Sequence, residues 1–159
     1  MNSGKNERLE SMKKIVNEMK IRFPAVSVNE GVIRSAITAF CASADPTATE
    51  LGDIRLAVSE AVTNAIVHAY RELPRGTVGY VYISARLYDT REVSIEISDS
   101  GCGIADVEAA RRPFVTSGGD GSERCGMGFL VMESFMDSLA VKSKLGKGTT
   151  VLMRKFLKP

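Results

Sequence analysis

The sequence predicts an α+β domain, a two-layer sandwich with helices on one face of a mixed, mainly antiparallel sheet. Two observations predict it. Helical apolar periodicity dominates the stretch before Pro74, whereas alternating segments joined by polar or glycine turns dominate the stretch after it. Elements segregated in this way pack as a layer of helices on a layer of strands. With 159 residues the chain is one domain's worth and long enough to bury a core.

Composition narrows the function classes. Apolar residues make up 44% and charged residues 25%, and the net charge of +2 is too small to argue for nucleic acid or an anionic membrane surface. No apolar run approaches a membrane span, and the opening MNSGKNERLESMKK lacks the apolar stretch of a signal peptide. Cys41, Cys102 and Cys125 are an odd number without CxxC spacing, so neither a disulfide framework nor a zinc site is indicated. The expected setting is a reducing cytoplasm, without direct nucleic-acid or membrane partners.

Each element has its own signal. Residues 1–18 are expected to be a flexible N-terminal extension. Leu9, Met12, Ile15, Val16 and Met19 have the spacing of a short amphipathic helix, but a solvated or frayed tail is the favoured reading. The domain proper is taken as 19–159. IRFPAV reads as a short edge strand, since Pro24 is tolerable only at an edge. Residues 29–44 read as a helix with Val32, Ile33, Ala36, Ile37 and Phe40 on one side. In DPTATE, Thr47 and Glu50 have the spacing of a capping box, and the helix behind them is expected to reach about Tyr70. Strands at 77–87 and 92–98 flank the turn Asp89-Thr90-Arg91. Residues 118–122, GGDGS, read as a loop, 129–136 as a helix, and two last strands flank Leu145-Gly146-Lys147-Gly148.

Four stretches carry chemistry. In LAVSEAVTNAIVHAY, Glu60, Asn64 and His68 fall at i, i+4 and i+8, a polar stripe on an otherwise apolar helix. Such a stripe is costly unless it meets water or a ligand, and a solvated face is about as good an explanation as a site. EVSIEISDSGCGIAD is a strand that stops at a carboxylate, Asp99, followed by Gly101 and Gly103. Taken alone this DxGxG is a weak signal. Arg124-Cys125-Gly126-Met127-Gly128-Phe129 places two glycines before a helix, where backbone N–H groups can approach phosphate oxygens. Gly146-Lys147-Gly148-Thr149-Thr150 puts hydroxyls on the last strand.

The order of these stretches resembles the ATPase superfamily of gyrase, histidine kinases and heat-shock chaperones. SEAVTNAIVHAY, ERCGMGFLVMESFMDSL and KGTTV narrow the resemblance to the anti-sigma factor kinases of sporulating bacteria, the anti-sigma-F type in particular, over about residues 19–155. The resemblance implies a Bergerat-type fold that holds ATP between helix and sheet. It implies that Asp99 accepts a hydrogen bond from the adenine amine, that Gly101 and Gly103 bring backbone beneath the base, and that Thr149 shares the adenine contact. It further implies that Asn64 holds Mg²⁺, that Gly126 and Gly128 cradle the phosphates, that Arg124 reaches the γ-phosphate and that Glu60 is the general base. A carboxylate in that role suits phosphoryl transfer, which needs positioning, charge neutralisation and a proton acceptor.

The implied function is an anti-sigma factor that inhibits a sporulation sigma factor as a homodimer. It would use ATP to phosphorylate a serine on a STAS-domain anti-anti-sigma partner. One departure is that 113–118, PFVTSG, lacks the lysine of the family's Thr-Thr-Lys, which puts the phosphate contacts of that loop in doubt. Two alternatives stay open: a nucleotide-gated sigma-factor binder without kinase activity, and a stress-response-type anti-sigma kinase. The catalytic half of a histidine kinase is disfavoured, because the one histidine, His68, sits on the nucleotide helix and leaves no other to receive phosphate.

Overall fold

A computed structural model describes residues 13–112 and 127–159. Their elements run β1 (Ile15–Pro24), α1 (Val28–Ala42), α2 (Ala48–Thr63), a π-helical turn (Asn64–His68), β2 (Tyr80–Tyr88) and β3 (Glu92–Asp99). A single-turn α3 (Val107–Ala110), α4 (Gly128–Phe135), β4 (Ser138–Lys144) and β5 (Gly148–Phe156) follow. The strands form one sheet in the order β1-β2-β3-β5-β4.

The sheet buries one face because its strands alternate. Val81, Ile83, Ala85 and Leu87 of β2 are buried, with Val93, Ile95 and Ile97 of β3 and Val151 and Met153 of β5 beside them. Register keeps these on one side, since Ile83 faces Ile97, Ile95 faces Met153 and Ile97 faces Val151 across the ladders. Against them lie Ile33, Ile37 and Cys41 of α1, spaced at four residues, and Ile54, Ala57, Val58, Ala61 and Val62 of α2. Phe129 and Met132 bring α4 onto the same core. Burial raises the Cys41 thiol to about 12, so it is an inert core residue.

The start of α2 follows from its sequence. The Thr47 hydroxyl accepts from the Glu50 N–H at 3.2 Å, and the Glu50 carboxylate accepts from the Thr47 N–H at 2.8 Å. The same carboxylate accepts from the Lys158 N–H at 2.8 Å, which ties the C-terminal residues to this cap.

Four expectations are corrected. The neighbouring strands pair antiparallel throughout the described sheet, so it is not mixed. The first strand is ten residues long and begins at Ile15, inside the stretch read as an extension. Pairing decides this: Met19, Ile21 and Phe23 lie opposite Ala85, Ile83 and Val81, and that two-residue alternation overrides the helical spacing of Ile15, Val16 and Met19. Lys13 and Lys14 are also tied down, Lys13 to Glu92 at 2.9 Å and the Lys14 N–H to Asp89 at 3.0 Å. The α-helix that opens at Ala48 stops at Thr63 instead of reaching Tyr70, and β2 opens at Tyr80 instead of residue 77. The GGDGS stretch lies outside the described residues.

Candidate functional site

A cavity of about 420 Å³ opens beside the end of α2, between the residue that ends β3 and the first turn of α4. Asn64, His68, Asp99, Cys102, Gly128 and Thr149 line it. Buried Ile97, Phe129 and Val151 add an apolar surface. Volume and lining are those of a small-molecule site, apolar with a few convergent polar groups.

Asn64 opens the π-helical turn, in which the Ala69 N–H reaches back to the Asn64 carbonyl at 3.1 Å. Such turns occur mostly singly within α-helices and often at functional sites. His68 closes the turn half-buried; burial and then the nearby Arg71 charge lower its pKa below the ordinary imidazole value, so it is mainly neutral at pH 7.

Asp99 ends β3. Its Oδ1 accepts from the Gly101 N–H at 2.9 Å and from the Thr149 N–H at 3.3 Å. Burial raises its carboxyl above the ordinary aspartate value, opposed by those two N–H groups. The Thr149 and Ser143 hydroxyls meet at 2.8 Å, and the Ser143 hydroxyl accepts from the Ile104 N–H at 2.8 Å. The end of β3, the start of β5 and the loop after Gly103 are thus one polar network.

The glycines around Asp99 have a reason within the protein itself. A Cβ on Gly101 would lie 2.1 Å from the Ala69 carbonyl oxygen, and one on Gly148 would lie 2.0 Å from the Asp99 carbonyl oxygen. Gly103 has a φ of +72°, and a Cβ there would lie 2.2 Å from the Lys144 carbonyl oxygen. A side chain would therefore collide first with neighbouring backbone, before any question of a ligand.

Glu60 is not on the cavity wall. It lies one turn before Asn64 on α2, and Gly128 links the two: a Cβ on Gly128 would sit 3.2 Å from Glu60 Oε2 and 3.8 Å from Asn64 Oδ1. Glu60, Asn64 and the start of α4 therefore meet beside the cavity, which Asn64, Gly128, Asp99 and Thr149 line. Arg124 and Gly126 lie outside the described residues, as does the 113–118 stretch. Among the described residues no three His, Cys, Asp or Glu side chains cluster as a metal site. An ion at Asn64 would need most of its oxygen ligands from phosphate and water, which suits Mg²⁺.

Sequence reasoning missed four contributors. Tyr70 bridges two backbone segments beside the cavity, Ser143 holds Thr149, and Arg71 and Glu72 line the cavity. Tyr70 alone had a signal: it lies two residues beyond His68, a large polar aromatic at the end of an apolar helix.

No helix among the described residues is long and apolar enough to cross a membrane. The family described as a histidine kinase-like ATPase domain matches residues 23–155. An anti-sigma F factor of Geobacillus is 48% identical over 141 residues, covering 89% of this chain and 93% of that protein. Another from Clostridium perfringens is 50% identical over 139 residues, covering 87% and 96%. Among solved structures, the RsbU and RsbW domains of a Mycobacterium tuberculosis protein superpose with a TM-score of 0.62 at 19% identity. That match covers 91% of this chain and 34% of the other. The histidine kinase domain of an Erythrobacter litoralis blue-light activated kinase gives 0.52 at 22% identity, covering 85% and 62%. These two likenesses concern the fold. With its helical layer on an antiparallel sheet and its near-full-length relatives, the chain belongs to the anti-sigma F factor family of histidine kinase-like ATPase domains.

Proposed function

We propose that the protein is an anti-sigma factor and ATP-dependent serine kinase. It inhibits a sporulation sigma factor and phosphorylates a serine on a STAS-domain anti-anti-sigma partner, working as a homodimer in the cytoplasm. The names of its relatives support the anti-sigma part, and the ATPase family supports ATP as the nucleotide. One observation supports the kinase part: the Glu60 carboxylate and the Asn64 amide both lie against Gly128, at the helix start that lines the cavity.

The chemistry follows from that arrangement. Asp99 receives the adenine amine on Oδ2, since its Oδ1 already takes two backbone N–H groups. Asn64 Oδ1 would hold Mg²⁺, whose bound charge offsets that of the phosphates. The N–H groups at the start of α4 would meet the triphosphate, and Gly126 and Arg124 keep the phosphate-binding roles that the family resemblance implies. The serine oxygen of the partner attacks the γ-phosphorus as the bond to the β-phosphate oxygen breaks. Glu60 takes the serine proton, and ADP leaves.

Incubation of the chain with γ-labelled ATP, Mg²⁺ and a STAS-domain protein bearing its acceptor serine tests this reading. Label is expected on that serine and nowhere on the chain itself. ATP binding and sigma-factor capture without label would instead make the protein a nucleotide-gated binder. Failure to bind ATP would overturn the assignment of the cavity.

A further inference from the structure

We propose that Tyr70 is a positioning residue for base recognition, its hydroxyl setting the backbone of the turn that carries Asp99. This rests on the nucleotide reading above. The hydroxyl donates to the Tyr80 carbonyl at 2.5 Å and accepts from the Ser100 N–H at 2.9 Å. Tyr80 opens β2 and Ser100 directly follows Asp99, so one oxygen fastens the turn to the neighbouring strand. Burial raises the phenol above its ordinary value, so it stays protonated at neutral pH and keeps donating. The ring lies against Gly79, where a Cβ would come within 2.3 Å of its carbons, and this space is open only because residue 79 is glycine.

Ala69 adds a second hold. Its carbonyl accepts from the Cys102 N–H at 2.7 Å, and Gly101 packs on the same carbonyl with no room for a side chain. Residues 69 and 70 follow directly on the turn bearing Asn64 and His68, and they grip residues 100–102. The separation between the metal-side asparagine and the base-side carboxylate is thereby set through two adjacent residues. Ser100 is exposed, so water would satisfy its N–H if the phenol were absent. What the Tyr70 bond adds is therefore order in the turn, which lowers the cost of fixing Asp99 when a base binds.

Calorimetry on Tyr70→Phe with Mg-ATP and Mg-ITP tests the proposal, because inosine presents a carbonyl where adenine presents an amine. The Kd for ATP is expected to rise about tenfold, while that for ITP moves less than about twofold. Gly79→Ala, which drives the ring from its place while keeping the hydroxyl, should reproduce that loss of selectivity. In the unmodified chain the Ser100 amide should exchange slowly with solvent by NMR despite its exposure, and about tenfold faster in Tyr70→Phe. Equal weakening of ATP and ITP would make Tyr70 a packing residue and overturn the proposal, as would an unchanged ATP Kd. Fast Ser100 exchange in the unmodified chain overturns it without any variant. If the unmodified chain does not distinguish ATP from ITP, the assignment of Asp99 fails instead.

Discussion

The Thr149 N–H donates to Asp99 Oδ1 over 3.3 Å, joining the start of the last strand to the carboxylate that ends the third. Glycine at 148 permits it, since a Cβ there would sit 2.0 Å from the Asp99 carbonyl oxygen. The carboxylate is therefore held by backbone from two sides and half shielded from water.

Base selectivity and its pH dependence follow from that carboxylate. Guanine offers a carbonyl where adenine offers an amine, so GTP is expected to bind at least ~100-fold more weakly than ATP, about 2.7 kcal/mol. Burial raises the Asp99 pKa above 3.8, so protonation begins at a higher pH than for an exposed aspartate. ATP affinity should accordingly fall as pH drops toward that raised value. Asp99→Asn should bind more weakly at pH 7 and lose this part of the pH dependence, leaving only the titration of ATP itself. Calorimetry across pH on both proteins checks it; parallel profiles would remove Asp99 from base recognition.

Glu60 and Asn64 should separate chemistry from binding. Glu60→Gln keeps size and loses the proton acceptor, so phosphorylation of the STAS partner should fall by ~10²–10⁴-fold with ATP binding nearly intact. Asn64→Ala should lose nucleotide binding and with it every nucleotide-dependent activity. Single-turnover transfer and calorimetry on the same preparations measure both. Glu60→Gln with normal transfer would send the search for the base elsewhere.

Two glycines should fail in different ways. At Gly101 an added Cβ meets the Ala69 carbonyl at 2.1 Å, a backbone obstacle that cannot swing aside. Gly101→Ala should cost about 1–3 kcal/mol of stability and weaken nucleotide binding. At Gly128 the nearest atom, at 3.2 Å, is Oε2 of Glu60, the end of a flexible side chain. Gly128→Ala should stay within about 1 kcal/mol of the parent in thermal unfolding, helped by alanine's helix propensity, while transfer slows. Similar melting shifts for both variants would contradict the packing described around them.

The cap of α2 makes stability depend on acid. The Lys158 and Thr47 N–H groups hold the Glu50 carboxyl below its ordinary 4.5. A lowered folded pKa means stability that is present above the unfolded value and is lost as pH falls through the folded one. Thr47→Ala should cost about 1 kcal/mol at pH 7. Glu50→Gln should be less stable than the parent at pH 7, and its unfolding curve should converge on the parent's as pH falls from the ordinary 4.5 through the lowered folded value. A gap that persists undiminished into acid would show that the charge contributes nothing.

Periodicity and capping, both local, carried α1, the start of α2 and the β2–β3 hairpin. Ile33 and Ile37 recur at helical spacing, Thr47 and Glu50 are three apart, and Val93, Ile95 and Ile97 alternate. Asp99, Asn64 and Gly128, which line the cavity, were recognisable as candidate site residues because their motifs are contiguous in the chain. Ser143 was not, and Tyr70 had only its place two residues beyond His68; what either holds follows from the backbone N–H or hydroxyl it meets 30 or 6 residues away.

The sequence by itself determined which segments form most of the helices and strands, though not all their ends, which faces are apolar, and which short stretches carry carboxylate, amide and glycine. These depend on interactions within a few residues. Only the tertiary structure decided that residues 15–18 join a strand, since an edge strand exists by virtue of the neighbour it pairs with. It also decided that α2 widens into a π turn at Asn64, and that Gly101, Gly103 and Gly148 are glycines because backbone from Ala69, Lys144 and Asp99 occupies the space a side chain would need. Close approach between segments distant in sequence leaves no periodic trace, so those reasons come into view only when the chain is folded.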